Sequence, residues 1–162
     1  MSSKLGRGWV TVAVIGMGAA TGPLDSSVNI AFPDITGSFG KPLGAIQWVI
    51  IAYVLTYASL LLNFGRFADI AGHRRVFVGG LVVSAIGLAS CGLAPSYEWL
   101  LFTRTLQGLG TALVLATAPA LVTLSFDDSL RPRALGAYAM FLTGASAAGP
   151  LAGGLLVSEW GW

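Results

Sequence analysis

The chain has 162 residues, of which 55% are hydrophobic and only 10% are Asp, Glu, Lys or Arg, with a formal net charge of +2. A typical soluble domain carries about 25% charged residues and needs them to stay dispersed. The apolar residues here form long uncharged runs, so the composition excludes an ordinary soluble domain and points to lipid as the solvent. The glycines follow no Gly-x-y repeat, which excludes collagen, and they suit close backbone approach between membrane helices. A lone Cys91 excludes an intrachain disulfide and reads as a small buried hydrophobe.

Five membrane-spanning helices are predicted, at about 9–30, 45–63, 76–93, 99–124 and 134–157. Each is close to the ~20 residues that cross a ~30 Å hydrocarbon layer. The first follows Lys4 and Arg7 and shares features with a secretory signal, but its apolar run continues to Phe32 and favours an uncleaved span. Gly22, Pro23 and Asp25 interrupt it. Residues 33–42 read as a loop or short surface helix, and 65–75 as a polar turn. The third span stops at Ala94 and Pro95, the fourth contains Arg104, Gln107 and Pro119, and 126–133 is a second charged connection. Lys4, Arg7, Arg66, Arg74, Arg75, Arg131 and Arg133 fall on one side of this layout and Lys41 on the other. The positive-inside rule then puts the N-terminus in the cytoplasm. Trp9 would lie at the inner edge, and Trp48, Trp99, Trp160 and Trp162 at the outer one. The fold class is all-α, a polytopic membrane helical bundle.

Several residues in these spans carry more than packing. Asp25 is a carboxylate in or at the end of a span, where charge is costly and faces a cavity or a partner. A carboxyl kept from water and from positive charge holds its proton more readily, as a proton-coupling group must. A helix cap near the outer surface is the plainer role for Asp25. Asn29, four residues on, shares its face. Arg104 and Gln107, three residues apart, form a polar stripe that should face the interior, although Arg104 alone could snorkel outward. Tyr53 and Tyr57 share one face of the second span and are candidates to line a path. Most other aromatics are read as facing lipid.

Gly65 and Gly72 would permit a tight connection between antiparallel helices. Asp69 could hold charge-assisted bonds to Arg66, Arg74 or Arg75, or accept backbone N–H groups at a helix start. An ordinary positive-inside turn would carry the same residues. In the fifth span Ala145, Gly149 and Gly153 recur at four-residue spacing, a close-packing pattern. Pro150 removes the bond to the carbonyl of Ser146 and bends the helix, as a pivot or as static packing. His73 is the only histidine, so no histidine-based metal site is predicted. No cofactor, catalytic residue or nucleic-acid partner is predicted either.

Four segments resemble, in chain order, signatures of the major facilitator superfamily of secondary transporters. The run from Leu24 to Pro33, with Asp25, Ser27, Asn29 and Ala31, is similar to the first-helix signature of multidrug proton antiporters with fourteen transmembrane helices. Ser27 stands there for the usual Thr. The run from Gly65 through Asp69 and Gly72 to His73, Arg74 and Arg75 resembles the turn between the second and third helices, with His73 where Arg or Lys is usual. Arg104, Gln107, Gly108 and Gly110 match the fourth-helix pattern R-x-x-Q-G-x-G. Gly144, Gly149, Pro150, Gly153 and Gly154 resemble the fifth-helix antiporter signature.

The resemblance implies a transporter of two six-helix bundles built from inverted repeats. Residues 1–162 would be its helices one to five, an incomplete N-terminal bundle. It implies proton coupling by Asp25 and Arg104, a transport path touching Asn29, Gln107, Tyr53 and Tyr57, and a cytoplasmic gating turn formed by Gly65, Arg66, Asp69, Gly72, His73, Arg74 and Arg75. It also implies a helix-packing pivot at Gly144, Gly149, Pro150, Gly153 and Gly154. The expected function is proton-driven efflux of small hydrophobic or cationic compounds, not enzymatic catalysis. The expected location is a plasma membrane, that of a bacterial inner membrane. Expected partners are substrate, protons, the lipid bilayer, and a missing C-terminal half or a second copy. The alternative is a small non-transporting membrane interaction or regulatory protein.

Overall fold

The structure, a computed structural model, describes residues 2–25, 35, 37 and 39–160. Helix α1 spans Ser2–Ala19 and is extended by one turn, Thr21–Leu24. A short 3-10 turn, Leu43–Ala45, leads into α2, Ile46–Ala71. Then follow α3, His73–Gly92, α4, Tyr97–Leu124, and α5, Arg131–Trp160. Among the described residues, helices lie within each of the five predicted stretches, and residues 26–30 of the first lie outside the described residues. Helices α2, α3 and α4 are long and apolar enough to cross a membrane, and the apolar part of α1, Gly8–Leu24, is shorter.

One boundary differs from the prediction in an informative way. Residues 65–75 are not a loop: α2 continues through Arg66 and Asp69 to Ala71, and α3 begins at His73. Polar residues end a hydrophobic run but leave helical hydrogen bonding available, because a helix satisfies its own backbone. The only break is Gly72, at φ 92°, a conformation that L side chains rarely adopt. Its amide still bonds to the carbonyl of Ala68 at 2.9 Å, and its carbonyl accepts from Arg75 and Val76, so one residue both closes α2 and opens α3. No side chain caps α3. At the other end of the bundle α4 starts at Ser96, whose hydroxyl accepts from the Trp99 amide at 3.2 Å.

Helix α4 is the spine. It packs most extensively on α3 and α2 and also touches α1 and α5, whereas α2 and α3 barely meet each other. Two glycines let the neighbours in. A Cβ on Gly108 would lie 2.6 Å from the carbonyl oxygen of Tyr53 in α2. One on Gly110 would lie 2.5 Å from the amide nitrogen and hydroxyl of Ser84 in α3. The backbones approach closely enough for Cα–H···O contacts, which add dispersion and weak polar attraction where lipid supplies no hydrophobic drive.

The buried side chains are layered along α4. One apolar cluster joins Val12, Ile15 and Ala19 of α1 to Phe77 of α3, Val114, Ala118 and Val122 of α4, and Ala134 and Tyr138 of α5. A second joins Ile35, Val49 and Leu100 near the opposite end, with Phe39, Cys91 and Tyr97 packed against it. Between Leu100 and Val114 the buried residues of α4 include Thr103, Arg104, Gln107 and Thr111. A polar layer is thus held between two greasy ones.

Both ends are tied. At the α2–α3 end, the ring of Trp9 meets Phe126 edge-on, with centroids 5.2 Å apart. The guanidinium of Arg131 donates to the carbonyl of Thr123, near the end of α4, and pairs with Asp128. At the α3–α4 end, the hydroxyl of Tyr97 donates to the carbonyl of Ala45 at 2.5 Å. Lys41 sits 5.4 Å from the Tyr97 ring centre and 3.6 Å from Glu98.

Candidate functional site: a buried carboxylate–guanidinium cluster

Three of the predicted residues converge in the polar layer. Gly22 and Pro23 lie in the one-turn extension of α1, and Asp25 caps it. That turn carries the carboxylate toward α4, where Arg104 and Gln107 lie three residues apart on one face. Nη1 of Arg104 donates to Oδ1 of Asp25 at 2.5 Å and to Oε1 of Gln107 at 2.9 Å. Nε2 of Gln107 donates to the same Oδ1 at 3.0 Å. The result is a closed three-membered ring of hydrogen bonds. The side chains of Arg104 and Asp25 are 4% and 14% exposed.

The guanidinium of Arg104 rests directly on Asp25, because the broken end of α1 turns the carboxylate into the bundle. Arg104 is buried and does not snorkel outward, and among the described residues its Nε has no hydrogen-bond partner. A charged pair in a low-dielectric layer survives only when its partners complete each other's bonding. Here Oδ1 of Asp25 receives two donors, one charged and one neutral. The cluster is a buried ion pair closed by a neutral amide.

Tyr53 is 7% exposed. Its hydroxyl lies 3.5 Å from the carbonyl oxygen of Gly22 and 3.4 Å from the hydroxyl of Thr111. Tyr57 packs beside it, the ring centroids 5.4 Å apart, so the two tyrosines do share a face. Asn29 lies outside the described residues. Thr111 was not singled out in the sequence, although it lies four residues beyond Gln107 on the same stripe. Cys91 and Thr103, their sulfur and hydroxyl 3.1 Å apart, were missed as a pair for the same reason.

The predicted gating turn is only partly a charge cluster. Asp69 faces His73 at 3.5 Å, one helical turn away across Gly72. Among the described residues it makes no ion pair with Arg66, Arg74 or Arg75, all of which are exposed. Nor does it cap α3, whose first residue lies beyond it. Gly65 is helical, and a Cβ there would meet nothing within 4 Å.

In α5 the buried members of the small-residue ladder are Ala145, Gly149 and Gly153. Gly144 is exposed, with open space where a Cβ would go. Gly154 is half-buried and Pro150 faces outward, inside an unbroken helical assignment. This helix packs on α1 and on the turn Thr21–Leu24. Gly16 of α1 admits the ring of Phe141, which would sit 2.5 Å from an added Cβ.

Comparison with known proteins bears on this arrangement. The sequence profile of the Major Facilitator Superfamily matches residues 8–162. The multidrug resistance protein Stp of Mycobacterium tuberculosis is 37% identical over 155 residues, covering 94% of this chain and 29% of that protein. A methylenomycin A resistance protein of Bacillus subtilis is 34% identical over 162 residues, 99% of this chain and 35% of its own. The puromycin resistance protein pur8 of Streptomyces alboniger is 40% identical, with 96% and 32% covered. The chain spans about a third of the length of these relatives. The chain belongs to the Major Facilitator Superfamily. It is a multi-pass membrane bundle corresponding to an N-terminal portion of that fold, and its kin are transport proteins rather than enzymes.

Proposed function

We propose, from that membership, that this chain supplies the proton-coupling helices of a secondary antiporter that exports small hydrophobic or cationic compounds. The observation that carries the reading is the ring formed by Asp25, Arg104 and Gln107, buried between the turn at the end of α1 and α4. With Asp25 ionised, Arg104 neutralises it and the ring closes. A proton on Asp25 removes the charge that holds Arg104 and loosens the turn at the end of α1. A cationic compound competes with the proton for the same carboxylate, so proton and substrate exclude one another. Resistance to toxic compounds in the relatives' names supports export as the direction.

In this reading all five helices cross a bacterial plasma membrane with the N-terminus in the cytoplasm, as in the fourteen-helix subgroup. Gly72 and its flanking charges form the cytoplasmic gating turn, and Ala145, Gly149 and Gly153 form the packing pivot. A C-terminal half supplies the opposing wall of the path. A non-transporting interaction protein is the second reading. Reading the coding sequence beyond Trp162 separates the two: seven or more further spans support the transporter, and a stop codon with stable expression supports the rival. The direct test is Asp25→Asn in the full-length protein. Membrane insertion stays intact and drug-dependent proton release disappears; unchanged proton release overturns the assignment.

A further inference from the structure

Asp25 is one residue past a four-residue turn, too short to hold its own position in the bundle. The amide of Asp25 bonds to the carbonyl of Gly22, which lies one turn back. That same carbonyl faces the hydroxyl of Tyr53 from α2 at 3.5 Å. The phenol in turn faces the hydroxyl of Thr111 from α4 at 3.4 Å. A Cβ on Gly22 would lie 3.2 Å from Cγ2 of Thr111 and 3.8 Å from the Tyr53 hydroxyl, so the turn is seated directly on both residues. Tyr53 and Thr111 are 7% and 5% exposed.

We propose that Tyr53 and Thr111 are positioning residues that grip the Gly22 carbonyl and so set where Asp25 stands relative to Arg104 and Gln107. The role rests on the reading of Asp25 as the coupling carboxylate. A carbonyl oxygen has two lone pairs, and this one is shared between the Asp25 amide and the Tyr53 phenol. One phenol proton has two acceptors, both at long range. Thr111 can accept it or donate its own proton back, so the grip shifts between the turn and α4 without breaking. The turn packs on α5, and the Gly22 carbonyl is its polar tie to α2, so a change at that carbonyl is passed to the carboxylate three residues on. The groups around Asp25 are Arg104 and Gln107 from α4 and Tyr53 from α2, with Tyr57 behind Tyr53 and Cys91 of α3 behind Thr103.

The test uses the whole chain in lipid nanodiscs with 13C-labelled aspartate carboxyls. The Asp25 resonance is assigned by its loss in Asp25→Asn, and its chemical shift and titration midpoint are read. Tyr53→Phe keeps the ring and removes only the hydroxyl, and it should shift the midpoint by about half a pH unit or more. Thr111→Val should do the same, and Thr111→Ser should restore the wild-type value. A resonance and midpoint unmoved by Tyr53→Phe and Thr111→Val overturn the proposal, even where thermal stability falls. Failure of the coupling reading shows separately, as proton release that survives Asp25→Asn in the full-length protein.

Discussion

Among the described residues, Arg104 makes its bonds from a single nitrogen: Nη1 serves Asp25 and Gln107, while Nε is buried without an acceptor. A buried donor left unpaired costs about 1–3 kcal/mol, so the guanidinium is held in place by its ion pair against a standing penalty. Removing one partner of such a pair strands the other charge and costs about 3–5 kcal/mol. Arg104→Gln should therefore destabilise the chain in micelles more than the double variant Asp25→Asn with Arg104→Gln, which leaves no charge stranded. Denaturant unfolding of both variants checks this, and a double variant that loses more than the single one contradicts it. Arg104 and Gln107 were legible as a stripe because a spacing of three puts two polar residues on one helical face. Their union with Asp25 was not, because it depends on which way the broken end of α1 points. Thr111 was hidden for another reason. Threonines in apolar helices commonly bond back to the preceding turn, as Thr56, Thr105 and Thr117 do here, so one more gives no signal.

Glycine illustrates the limits of sequence at the level of the helix. Gly65 and Gly110 both belong to family signatures, yet only Gly110 has backbone pressed against it. Gly110→Ala would place a methyl 2.5 Å from Ser84 in α3, forcing α3 and α4 apart. The expected loss is about 1–3 kcal/mol, the usual range for overpacking. Gly65→Ala enters open space in the middle of α2 and should be neutral or stabilising by up to about 1 kcal/mol. Thermal unfolding of the two variants side by side separates a packing glycine from one whose use lies outside this chain. The same contrast explains the missed boundary at 65–75. Charge there ends the apolar run but not the helix, and the break falls on the single glycine whose φ is positive.

At the scale of the molecule, exposed apolar side chains such as Leu55, Leu62, Ile70, Val82, Leu93 and Met140 clothe the outside of the bundle, while the polar layer lies within. That inversion relative to a soluble domain was legible from composition alone. The arrangement of helices around α4 was not, since apart from the Arg104–Gln107 stripe and Asp25 the spans are apolar nearly all round and periodicity gives little sign of a buried face. The proposed orientation has its own test. In a Cys91→Ser background, Gly37→Cys should react in intact cells with a membrane-impermeant maleimide, and Asp127→Cys should react only after permeabilisation. The reverse pattern overturns a cytoplasmic N-terminus.

The scant contact between α2 and α3 bears on how the chain is made. Synthesis delivers the α2–α3 hairpin to the bilayer before α4, yet each of the two helices keeps its closest packing surface for α4. Until that third helix emerges, Tyr53, Gly80, Ser84 and Gly87 must wait against lipid or a chaperoning partner. Arg104, meanwhile, enters the membrane only after Asp25 is already there to receive it. Biogenesis of this bundle is therefore gated by one late helix, and the ribosome reaching Leu124 is the moment at which four loose segments acquire a common centre.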